Sequence, residues 1–213
     1  MAAWGPEILV HPSGPGAHLT PGHVEAVAPF AERCTAAVVG PGLGTHPETR
    51  AAAHQILALL ADHDVPTVVD ADGLDALDRA LLRRHGARMV LTPHAREFQD
   101  LAGRPATAPE VVAYARRAGT TVLRKAAESV ITDGRRTRRN RRGHPTLTVG
   151  GTGDVLAGAT AQILAKGAQP FEAACAASYL VGSAGELAAA LRSYGATATD
   201  LLEAIPAILL RLD

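Results

Sequence analysis

Short apolar runs and longer alanine- and leucine-rich stretches alternate along the first half of the chain. Residues 36–39, 67–69, 89–91 and 121–123 are apolar or β-branched without polar alternation, which predicts strands buried on both faces. Helical patterns lie between them: 48–61 follows Pro47 at a first helical position, 73–84 runs up to Gly86, and 110–118 stops at Gly119. Strand and helix repeated in this way predict an α/β fold, with a mostly parallel sheet flanked by helices and right-handed crossovers. From Asp154 onward the pattern is helical, over 154–166 before Gly167, then 171–191 and 200–212, where Pro206 is expected to kink or split the last helix. No linker or internal repeat interrupts the chain, so 1–213 reads as one domain.

The polar residues follow the strands. Gly40-Pro41-Gly42-Leu43-Gly44 comes after the first, Asp70-Ala71-Asp72 after the second, Thr92-Pro93-His94 after the third and Arg124-Lys125 after the fourth. Carboxyl ends of strands are where open α/β sheets place ligands. Each group alone also suits an ordinary turn, since Gly, Pro and Asp are turn residues for conformational reasons. Downstream, Gly150-Gly151-Thr152-Gly153-Asp154 delivers a carboxylate on a glycine-rich turn to the start of a helix. Amides there can converge on an anion with the helix dipole behind them, and phosphate is the obvious candidate. The alternative for Asp154 is a helix cap.

Composition narrows the classes. With 213 residues and 47% hydrophobic content the chain can bury a sizeable core. Lys plus Arg and Asp plus Glu number 21 each and aromatic residues are 3%, so neither a global basic field nor stacking platforms for nucleic acid are present. Cys34 and Cys175 form no CxxC, which fits a reducing cytoplasm. No signal-peptide pattern opens the chain at Met1–Pro6, and no uninterrupted apolar run suggests a membrane span. HExxH, GxxxxGK[ST] and GxGxxG are all absent. Asp70 and Asp72 could hold magnesium through water, a reading weighted below turn or capping roles, so no metal ligand is firmly assigned. Asp133-Gly134 predicts a hairpin with Arg135, Arg136, Arg138, Arg139, Arg141 and Arg142 on an exposed arm; phosphate or subunit contact is the narrower alternative.

Taken in order, the glycine loop 40–44, Val69-Asp70-Ala71-Asp72-Gly73-Leu74, Leu91-Thr92-Pro93-His94 with Glu97, and Gly150-Gly151-Thr152-Gly153-Asp154-Val155-Leu156-Ala157-Gly158 resemble the ADP/ATP-dependent NAD(P)H-hydrate dehydratases, from about Pro6 to Ile205. The resemblance implies a ribokinase-like fold and dehydration of the S epimer of NADHX or NADPHX. ADP or ATP would phosphorylate the ring hydroxyl, with Mg2+ as cofactor, before phosphate leaves. It implies Asp154 as the catalytic base; Gly42, Gly44, His94 and Asp154 at the hydrated nicotinamide nucleotide; and Lys125, Ala126, Ala127, Glu128, Ser129, Gly151, Thr152 and Gly153 at ADP or ATP. It further implies a homo-oligomer, possibly a tetramer, paired functionally with an NAD(P)HX epimerase, and an amino-terminal strand-helix segment that this chain is expected to lack. The plainer readings are a solvated or structural loop histidine for His94 and a strand-end lysine in water for Lys125. Two departures stand out: Ala126 follows Lys125 where the family has glycine, and His144-Pro145-Thr146 replaces asparagine-proline-glycine. The alternatives are a non-catalytic nucleotide-binding relative and a vitamin-type hydroxyalkyl kinase of the same fold.

Overall fold

A computed structural model describes residues 8–12, 14 and 16–211. The opening Met1–Pro6 and Leu212, assigned above to the last helix, lie outside the described residues. Six strands form one sheet in sequence order: β1 (Ala37–Val39), β2 (Thr67–Val69), β3 (Met89–Leu91), β4 (Thr121–Arg124), β5 (Ser129–Thr132) and β6 (Thr137–Asn140). The first four run parallel; β5 and β6 are antiparallel additions joined by a tight turn.

The period-2 side-chain alternation of the strands divides the core into two layers. Val39, Val69, Leu91 and Val122 face α2 (Pro47–Asp62), α3 (Arg79–His85), α4 (Ala95–Ala102) and α5 (Ala108–Ala118), packing with Leu57, Phe98 and Tyr114. Val68, Val90, Leu123 and Ile131 face α6 (Thr152–Ala165), α7 (Pro170–Arg192) and α8 (Ala198–Leu209), against Leu156, Leu164, Phe171 and Leu201. A short α1 (Ala28–Ala31) precedes β1. The expected doubly covered, mostly parallel sheet is therefore observed.

Two expectations need correction. The helix read over 73–84 is broken: a 3-10 turn over Ala71–Ala76 ends at an extended Leu77, and the Asp78 side chain accepts the Leu81 amide at 2.7 Å to start α3. An N-cap aspartate inside the periodic stretch restarts the helix. Pro206 does not split α8, which runs through it to Leu209. Pro170–Gly195 is long and apolar enough by length and composition to cross a membrane, although Glu172 and Glu186 interrupt its apolar run, and 56% of its most apolar window is buried inside the protein. Its small residues explain the depth of packing. A β-carbon at Gly182 would stand 2.6 Å from the Arg142 carbonyl, and one at Gly185 would meet Leu147 at 2.7 Å, so the small face of α7 is used within the chain.

Candidate active site

Gly40 brings the first two strand ends together. Its φ is +139°, and a β-carbon there would lie 1.6 Å from the carbonyl oxygen of Asp70, so only glycine lets the 40–44 loop pass so close to β2. Beyond it, Gly42 and Gly44 also hold positive φ, and nothing stands within 4 Å of the position a β-carbon would take at either. The Gly44 amide donates to Asp72 Oδ2 at 2.9 Å, which fixes the loop over the end of β2.

At the ends of β2 and β4 the polar residues converge. Lys125 Nζ donates to Asp70 Oδ1 at 2.6 Å, with the Asp70 side chain 2% exposed and that of Lys125 21%. Glu97 Oε2 lies 3.7 Å from the same ammonium. Lys125 is thus not a strand-end lysine in water: it is clamped between two carboxylates, and its backbone forms a parallel bridge with His94. Desolvating Asp70 costs several kcal/mol unless a partner offsets it, which is why the lysine is held there. Asp70 is thus engaged by Lys125, and Asp72 by the Gly44 amide.

His94 caps α4. Its Nδ1 accepts from the amides of Arg96 and Glu97, both at 3.1 Å, while Glu97 Oε2 accepts from the His94 amide at 2.6 Å. With Nδ1 accepting, the hydrogen-bond network assigns the proton to Nε2, which faces Glu97 Oε1 at 3.4 Å on a half-exposed ring. The structural alternative for His94 therefore holds, and the ring still presents a face at the strand ends.

The glycine-rich turn closes the site from the other side of the sheet. Gly151 at φ +88° is the N-cap of α6, and the Thr152 hydroxyl donates to the carbonyls of Leu147 and Val149 at 2.6 and 2.9 Å, pinning the turn. A β-carbon at Gly153 would stand 3.6 Å from Lys125 Nζ and 3.7 Å from Asp70 Oδ2, so the first turn of α6 abuts the ion pair. Asp154 is the third residue of α6 and exposed, and no side chain caps this helix; its carboxylate has no partner among the described residues. The capping alternative for Asp154 is not what the structure adopts. The amides of Gly153 and Asp154 come before Val155, whose N–H is the first to donate within the helix, to the Gly151 carbonyl at 3.1 Å, and they stay available to an anion.

Ala126, Ala127 and Glu128 form the connection between β4 and β5, where the Ser129 hydroxyl and the Ala126 backbone bond each other. Glu128 is taken by the arginine arm, 3.5 Å from Arg139 Nη1 and 3.2 Å from Arg141 Nε. The arm is thus an exposed hairpin strand as expected, but it touches the segment assigned to the nucleotide. At the end of β4, the Arg124 Nε is buried with no hydrogen-bond partner among the described residues. Cys34 and Cys175 are both free, and burial pushes the Cys175 thiol up to about 11, so it is no nucleophile at neutral pH. Two cavities of about 350 and 440 Å³ lie elsewhere, beside α7 and α8 and between α3, α4 and α5. The chemistry-bearing groups instead meet at the strand ends.

A family model described as NAD(P)H-hydrate dehydratase matches residues 4–207. The chain belongs to the NAD(P)H-hydrate dehydratase family. Among curated relatives of the chain, the bifunctional NAD(P)H-hydrate repair enzyme Nnr of Hyperthermus butylicus is 38% identical over 96% of the chain and 40% of that protein. The ADP-dependent (S)-NAD(P)H-hydrate dehydratase of Cenarchaeum symbiosum is 41% identical over 81% of the chain and 61% of that protein. The chain therefore spans about two fifths of the bifunctional relative and three fifths of the other. A solved structure of the ADP/ATP-dependent NAD(P)H-hydrate dehydratase of Bacillus subtilis, co-crystallised with ATP/Mg2+, superposes with a TM-score of 0.71 at 23% identity, over 91% of this chain and 77% of that one. Together with the structure of Arabidopsis thaliana ribokinase, at a TM-score of 0.58, it places the fold in the ribokinase-like group.

Proposed function

We propose that this chain dehydrates the S epimer of NADHX or NADPHX at the expense of ADP or ATP. The observation that carries the reading is the convergence of the first turn of α6 on the Lys125–Asp70 pair, with the Asp154 carboxylate left unpartnered beside it. Asp154 takes the proton of the substrate's ring hydroxyl as its oxygen attacks the terminal phosphorus of the nucleotide; the bond from that phosphorus to the bridging oxygen breaks, releasing AMP or ADP. The amides of Gly153 and Asp154 and the ammonium of Lys125 stabilise the transferring phosphoryl group. Expulsion of phosphate with loss of a ring proton then restores the dihydropyridine.

His94, Gly42 and Gly44 line the nicotinamide side in this reading, and Lys125 with the 126–129 connection the nucleotide side. The buried Nε of Arg124 would find its missing acceptor on bound nucleotide. Since Asp70 and Asp72 are already engaged, magnesium would arrive on the nucleotide's phosphates, where it neutralises charge. We further propose a cytoplasmic homo-oligomer working beside an NAD(P)HX epimerase. Exposed Leu191, Tyr194, Leu202, Leu209 and Leu210 near the α7–α8 end support self-association better than the small residues of α7, which are engaged within the chain.

The test is to mix the purified protein with NADHX, ADP or ATP and Mg2+ and follow dihydronicotinamide absorbance. Recovery that requires the nucleotide supports the reading. Phosphorylation without recovery would make the protein a hydroxyalkyl kinase, and binding without turnover a non-catalytic relative.

A further inference from the structure

We propose that His18, His46 and Glu48 form a binding site for a divalent transition metal such as zinc or cobalt, clasping the 16–20 segment onto the start of α2. One donor atom from each of the three lies within 4.8 Å of the others, the sole such grouping of three His, Cys, Asp or Glu among the described residues. His18 Nε2 is 2.8 Å from Glu48 Oε2, His46 Nδ1 is 3.9 Å from the same oxygen, and the two imidazoles are stacked at 3.7 Å with 27° between their planes. Two imidazoles therefore share one carboxylate oxygen at the surface.

Both sides of the cluster are anchored next to the ligands. His46 is the N-cap of α2 and precedes Pro47, which fixes the first helical turn and the place of Glu48. On the other side, the buried Thr49 hydroxyl donates to the Leu19 carbonyl at 2.9 Å, which ties the residue after His18 to the residue after Glu48.

Two nitrogens and one oxygen suit zinc, cobalt or nickel, whereas magnesium prefers an all-oxygen shell. Tetrahedral ligands at about 2.0 to 2.2 Å from a metal sit roughly 3.3 Å apart, so the donors draw in and the rings splay on binding, with solvent as fourth ligand. His18 Nε2 gives up the proton it shares with Glu48, to its own Nδ1 or to water, and His46 Nδ1 exchanges the capping bond from the Glu48 amide, now 3.2 Å, for the metal. His46 is two residues from Gly44, so an ion here stiffens the base of the 40–44 loop without touching Lys125 or Asp154.

The inference does not depend on the dehydratase reading, because the readout is metal binding. Chelator-treated protein is titrated with Co2+, followed by visible absorption, and with Zn2+ by calorimetry, each in excess Mg2+. One ion per chain is expected. His18→Ala, which lies outside α2, and Glu48→Gln, which preserves side-chain shape, should each weaken Zn2+ binding by about tenfold or more, with circular dichroism unchanged. A lack of saturable Co2+ absorption, or Zn2+ binding that survives both substitutions or is displaced by equimolar Mg2+, overturns the site.

Discussion

At the carboxyl ends of the parallel strands one lysine and one aspartate are drawn into the protein, while on the antiparallel hairpin beside them six arginines stay at the surface. Lys125 and Asp70 come from strands β4 and β2 and meet only because the sheet is formed. Arg136 pairs with Asp133 three residues away and with Glu172 of α7, and Arg142 pairs with Glu186; both guanidiniums are about half exposed, and only Asp133 among the acids is mostly covered. Charges of the first kind are fixed by the fold and cannot relax when one partner is lost; those of the second kind are screened and individually contribute about 0 to 1 kcal/mol. The placement of charge, more than its amount, separates the candidate site from the arm.

The largest effect belongs to the backbone contact beneath the buried pair. Gly40→Ala would drive a β-carbon into the Asp70 carbonyl and is expected to cost more than about 4 kcal/mol, read by denaturant unfolding or by failure to accumulate folded protein. Lys125→Met should leave Asp70 uncompensated. It should lower stability by about 2 to 3 kcal/mol, toward the lower side of buried-pair losses because the lysine is partly exposed, and weaken ADP or ATP binding in calorimetry. A stable variant with unchanged nucleotide affinity would erase the distinction between the two regions.

On the hairpin the effects are smaller. Burial raises the Asp133 carboxyl pKa, but the amides of Arg136 and Arg135, at 2.7 and 2.8 Å, and the Arg136 side chain outweigh it and leave the group below its ordinary 3.8. A depressed folded value means that this stabilisation is complete above the ordinary value and is lost as pH falls through the depressed one. Asp133→Ala should therefore cost about 1 kcal/mol at neutral pH, and the gap from the parent should close in acid below 3.8, measured by unfolding at both pH values. The smallest effect is expected for Arg139→Ser with Arg141→Ser. Because both touch Glu128, the double variant should change the KM for nucleotide by no more than a few-fold and leave kcat intact. A large loss confined to NADPHX would assign the arm to that substrate's extra phosphate.

Much of this was legible in the chain. Residues 67–69 and 89–91 are β2 and β3 to the residue, because strands buried on both faces carry an unbroken apolar signal. The Asp133-Gly134 turn marked its hairpin for the same local reason. Helix α4 was not read, although the His94 and Glu97 reciprocal cap and Gly103 at its end bracket it; histidine is an uncommon N-cap and its eight residues are short. Long-range pairing was not legible at all. Nothing near Lys125 indicates that its partner is Asp70, 55 residues earlier, nor does the arm announce that Arg139 and Arg141 reach back to Glu128. Nor does the run of small residues in α7 announce that the segment around Arg142 and Leu147 packs against it.

The central claim is that Asp154 is the base and not a cap, and Asp154→Asn tests it most directly. The amide keeps the size of the side chain but cannot take the hydroxyl proton, so nucleotide-dependent recovery of NADH from NADHX should fall by about a hundredfold or more. Thermal stability and ADP or ATP affinity should stay near those of the parent, since the Asp154 side chain makes no hydrogen bond within the described structure. Near-parental turnover in a folded Asp154→Asn protein would contradict the account.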